Sequence, residues 1–151
     1  MSGAYIRRLK SIEEQFEAAQ RALKYVCENW RRQELRSDVV IFDLALKHYQ
    51  AALGELEATY YVRMFATFED ILNDHFSERY PTNKAPKDLS AYIDTVGKRN
   101  GIGIDLRDDV HEARRQRNQY AHSGVYGTPS IIFKAARSRL NRYLDKLPDP
   151  Y

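Results

Sequence analysis

The chain has 151 residues, of which 43% are hydrophobic and 30% charged, and its formal net charge is only +3. This is enough chain to bury one core without disulfides or a structural metal, and the single Cys27 excludes an internal disulfide or a multi-cysteine metal centre. No stretch approaches the ~18 apolar residues of a membrane span and no apolar signal-peptide core stands at the amino terminus, so the expectation is a single cytoplasmic domain with no membrane partner.

The first segment reads as a long helix. Leu9, Ile12, Phe16, Ala19, Leu23, Val26 and Trp30 recur at alternating steps of three and four, and neither Gly nor Pro interrupts from Ala4 to Arg36. Cys27 lies on this pattern and reads as a buried, inert thiol. A second long pattern runs through Leu46, Tyr49, Leu53, Leu56 and Tyr60 to Phe65, Phe68, Leu72 and Phe76, and Pro81 ends it. Gly54 falls inside this pattern; one glycine costs a helix about 1 kcal/mol and can be carried or can mark a bend.

From Pro81 to Gly103 the chain is looser, with a short helix expected around Leu89 to Val96 and a turn at Asn100-Gly101-Ile102-Gly103. Asp105 reads as the N-cap of a third long helix, with Asp108 and Asp109 in its first turn. That helix runs to about His122 and stops at Gly124. Thr128 and Pro129 suit the start of a last helix whose apolar face is Ile131, Ile132, Ala135, Ala136, Leu140, Tyr143 and Leu144. No strand-like alternation of any length appears. The expected architecture is an all-α bundle of four main helices plus a short one. Two helices of about 30 residues would be on the order of 45 Å long, more than a small domain readily covers, which favours a two-fold dimer.

Charge is unevenly distributed. Residues 1–97 hold 13 Lys/Arg against 15 Asp/Glu, whereas residues 98–142 hold 10 against 4. A local excess of this kind attracts polyanions. Inside it stands Arg117-Asn118-Gln119-Tyr120-Ala121-His122, with Arg114 and Arg115 just upstream. Arg can hold the charge that builds on a phosphate during cleavage, and His can move protons near neutral pH. On a regular helix Arg117 and His122 are about 140° apart, whereas Asn118 and Arg115 share the face of His122. Convergence of Arg117 and His122 on one phosphate from one chain therefore requires His122 to leave the helix at its last turn.

This stretch resembles the R-x(4–6)-H motif of the HEPN family, all-α domains of which many are metal-independent ribonucleases. Both Arg117, with four intervening residues, and Arg115, with six, satisfy the spacing; Arg117, followed by the polar Asn118, is the commoner family form. The resemblance implies a homodimer in which two copies of the motif meet at a composite active site, with Arg117, Asn118 and His122 as catalytic residues and Arg114 and Arg115 in support. Family members often carry an acidic or polar residue at the place of Glu69, which reads either as the acid that orients Arg117 or as a solvated acid. In-line cleavage through the 2′-hydroxyl needs a base and an acid on opposite sides of phosphorus, which a two-fold axis would supply. The products would carry 2′,3′-cyclic phosphate ends, and DNA would not be cut.

The expected function is a metal-independent endoribonuclease, a toxin or anti-phage defence effector, with RNA as substrate and an antitoxin or regulatory partner as its restraint. The alternative is a non-catalytic helical dimer that binds RNA or a protein partner. Lys134 and Arg137, with Arg142 beyond them, read either as an extension of a phosphate-tracking face for RNA or as a plain solvated face. Some toxin members carry a Tyr two residues after the His, a site of silencing modification; here that position is Gly124, with Tyr126 beyond it. No cofactor is expected. His48, His75 and His111 lie far apart without H-E-x-x-H or E-x-x-H spacing, and Gly101-Ile102-Gly103 lacks the Lys-Ser/Thr of a phosphate loop.

Overall fold

A computed structural model describes residues 3–31, 45–122 and 130–149. They form five helices and, among the described residues, no strand, in keeping with the expected all-α class. The helices are α1 (Gly3–Asn29), α2 (Leu46–Arg79), α3 (Leu89–Arg99), α4 (Ile104–His122) and α5 (Phe133–Leu144). The 34-residue α2 is continuous through Gly54, so that glycine is carried and does not break the helix.

Central α2 touches all four other helices. Its fully buried Tyr61, Met64, Phe65, Phe68, Ile71 and Leu72 form the middle of the core. The start of α1 lies against the end of α2, where Tyr5 meets His75, and Phe16 of α1 packs on Tyr60. The two helices are therefore antiparallel. Only the first half of the α1 seam is buried, at Tyr5, Leu9, Ile12 and Phe16. Ala19, Leu23, Val26, Cys27 and Trp30 are half-buried, so the thiol expected to be fully enclosed is partly open.

The shorter helices owe their ends to side chains supplied locally or from afar. The Asp88 carboxylate accepts the Ala91 N–H at 2.8 Å and caps α3, which runs three residues past Val96 to Arg99. Gly101, at φ 68, makes the turn into α4 that a side chain would disfavour. Because α4 starts at Ile104, Asp105 sits inside the first turn and acts on the helix dipole there, not as the cap.

The α5 helix starts at Phe133, after the expected Thr128-Pro129, which lies outside the described residues together with Gly124 and Tyr126. Its N-terminus is capped across the bundle, with the Phe133 N–H donating to Glu57 Oε1 of α2 at 2.7 Å. Gln116 of α4 accepts from both the backbone and the hydroxyl of Ser130, so the approach to α5 is tied to two other helices. Ile132, assigned by its periodicity to the apolar face, is 55% exposed, whereas Ile131 before it is buried and Arg137 takes a buried place on that face.

His75 is 1% exposed and lies beside Tyr5 and Asn100. Burial, helped by the nearby Arg79 charge, lowers its pKa from the usual 6.5 to about 4. Between those values the unfolded chain takes up a proton that the folded chain refuses, so this residue makes stability fall as pH drops from 6.5 toward 4. The predicted contribution is up to about 3 kcal/mol. Urea unfolding at about pH 7.5 and about pH 4.5 should show a larger loss for the parent than for His75→Gln; equal losses would contradict this account.

Candidate functional site

The rotation of α4 is fixed by Val110, Ala113, Gln116 and Tyr120, its buried residues. Tyr120, within the motif, meets Tyr61 of α2 edge-on at 5.2 Å, and burial raises its pKa to about 12, with Glu57 adding to the shift. Tyr61 in turn donates to the Ala113 carbonyl at 3.3 Å. These anchors turn Arg115 and His122 to solvent and leave Arg114, Arg117 and Asn118 half-buried.

Those three half-buried residues line an open cleft of about 390 Å³, together with Glu69 of α2 and Asp88, Leu89 and Ser90 at the start of α3. The antiparallel pairing of α3 and α4 places the cleft at its open end. Arg107 and His111, near the closed end, both reach Asp94, at 2.9 and 3.2 Å. Burial works against the ionised Asp94, but the hydrogen bonds and charges of His111 and Arg107 prevail and hold its carboxyl below the ordinary range.

Within the cleft, Arg117 is held on two sides. One guanidinium nitrogen donates to Asn118 Oδ1 at 3.0 Å and another lies 3.6 Å from Glu69 Oε2. Glu69 is thus beside Arg117, and Arg117 lines the cleft whereas Arg115 does not. His122 does not join it. The helix is regular through His122, so the departure at the last turn is not seen, and the two motif residues diverge by about 140° around α4. His122 instead lies exposed one turn beyond Asn118, on the same strip of the helix.

The basic segment is less free than its composition implies. Arg107 pairs with Asp94, Arg117 with Glu69, Arg139 with Glu112 and Arg142 with Asp109. Lys134, itself exposed, lies 3.9 Å from Glu17. The expected phosphate-tracking face is corrected at Arg137, which is 3% exposed, lies 3.5 Å from Glu13 and donates toward the Ile6 carbonyl. It braces α5 against α1 and is no surface cation. Each of these acids lies on a different helix from the cation it meets, so the pairings depend on packing.

The α3 wall of the cleft was also missed, although Asp88 before Leu89 carries a cap signature that could have located it. Among the described residues no group of three or more His, Cys, Asp or Glu is placed to hold a metal ion, and no helix is long and apolar enough to cross a membrane. No family model matches the sequence, and neither a curated protein nor a solved structure does so.

Proposed function

We propose that this chain is a metal-independent endoribonuclease of HEPN type, acting as a homodimer in the manner of a toxin or defence effector. The observation that carries the reading is the placement of Arg117 at a polar cleft, with Glu69 and Asn118 as its two supports and His122 one turn beyond Asn118. A guanidinium held on two sides is preorganised for charge that develops on a phosphorane. In the reaction, one His122 takes the proton of the 2′-hydroxyl, whose oxygen forms a bond to phosphorus as the bond to the 5′-oxygen breaks. His122 of a second copy protonates that leaving oxygen. One His cannot stand on both sides of phosphorus, so the second copy is needed, and the divergence of Arg117 and His122 on one helix accords with residues of two copies meeting at one phosphate.

The same divergence favours a second reading, a non-catalytic helical module that binds RNA or a protein partner through this face. Turnover separates the two. His122→Ala should lower the cleavage rate of mixed RNA at least about 100-fold, the scale of a lost acid–base group. His122 is exposed at a helix end, so helicity and unfolding midpoint should be unchanged. Cleavage by His122→Ala at the parent rate would remove His122 from the mechanism.

A further inference from the structure

Among the described residues, Arg114 is the arginine of the cleft that has no acid partner. Of the two acids in the cleft, Glu69 lies 3.6 Å from Arg117 and Asp88 Oδ1 accepts the Ala91 N–H, and neither forms an ion pair with Arg114. Arg114 has no carboxylate within 4 Å and no hydrogen-bond partner among the described residues; its Nε, like that of Arg117, is enclosed without a partner. A half-buried guanidinium without a carboxylate partner is a ready donor to an anion in the cleft. Ser90, on the facing wall, adds a hydroxyl without a described partner. Arg115, the adjacent cation, faces solvent and does not line the cleft.

Position along α4 decides which anion this is. Arg114 lies eight residues before His122, about 12 Å along the helix axis. A proton-transfer group must be within hydrogen-bond reach of the reacting oxygens, so a phosphate served by His122 is not the one that Arg114 is placed to hold from the same copy. We infer that Arg114, with Ser90, forms a second phosphate subsite that holds the backbone phosphate next to the scissile one, so that the preferred ligand is a single strand with at least two consecutive phosphodiesters. This inference rests on the phosphodiester reading of the cleft but not on catalysis.

The test is direct binding, kept separate from cleavage by probes that cannot react. Single-stranded 2′-deoxy oligonucleotides with one and with several internal phosphates are titrated against the parent, Arg114→Gln and Arg115→Gln over a range of salt. The parent should bind the longer probe more tightly. Arg114→Gln should weaken that binding about tenfold and flatten the log–log salt dependence by about one phosphate contact, while the one-phosphate probe and Arg115→Gln change far less. Equal losses for Arg114→Gln and Arg115→Gln would mean a diffuse basic surface and overturn the subsite, as would no loss for Arg114→Gln or no binding by the parent. Arg114-dependent binding by a parent that cuts no RNA would uphold the subsite while the nuclease reading fails.

Discussion

Arg117→Ala is expected to lower the single-turnover rate of RNA cleavage by about 100- to 1,000-fold, the loss that follows removal of one preorganised donor to a developing oxyanion. Stability should change by less than about 1 kcal/mol, because the Arg117 and Glu69 side chains are 22% and 40% exposed and solvent screens their pairing. Arg117→Lys should recover part of the rate, since an ammonium supplies the charge but not the planar fork that donates to Asn118 while facing Glu69. Glu69→Gln should cost less than Arg117→Ala, because it loosens the guanidinium without removing it. Rapid-quench cleavage alongside urea unfolding checks the series. Parent-like cleavage by Arg117→Ala would take the arginine out of the reaction.

The second large effect is on the fold. Phe68→Ala should destabilise the protein by about 3–5 kcal/mol, a substantial part of the 5–15 kcal/mol typical of a domain. Phe68 is fully buried on α2 and meets Phe65 and Tyr143 edge-on, at 6.2 and 5.6 Å. Tyr143 extends the same contact by donating to the Ile93 carbonyl at 2.7 Å, so the Phe68 ring joins α2, α5 and α3. Because Phe68 directly precedes Glu69, a cavity here should also loosen the acid that holds Arg117, and cleavage should fall even where the variant remains folded. Phe68→Leu, which keeps most of the volume, should lose roughly half as much stability or less. A Phe68→Ala loss under about 1 kcal/mol in urea unfolding would contradict the central place given to this residue.

Helix identity was legible in the sequence because apolar spacing reports which face is buried. The seam of α2 and the first half of the α1 seam follow that spacing, and the Asn100–Gly103 turn follows from glycine chemistry. Helix ends were less legible where the capping group is remote. The α5 helix is capped by Glu57, 76 residues away in sequence, and no local pattern announces it. Charge was misread for the same reason. Arg137 looked like a surface cation because the acid and carbonyl that receive it lie on α1. At the site, the nearness of Glu69 and Asn118 to Arg117 was open to expectation from sequence, whereas the α3 wall of the cleft depends on how α3 packs on α4, which local sequence does not encode.

The most direct test of the central claim is the chemistry of the ends left on RNA incubated with the parent protein in excess EDTA. The account predicts strand cleavage without divalent metal, 2′,3′-cyclic phosphate on one fragment and a 5′-hydroxyl on the other, and no cut at a site whose 2′-hydroxyl is replaced by hydrogen. Cleavage that EDTA abolishes, or that leaves 5′-phosphate ends and proceeds at the deoxy site, would contradict it.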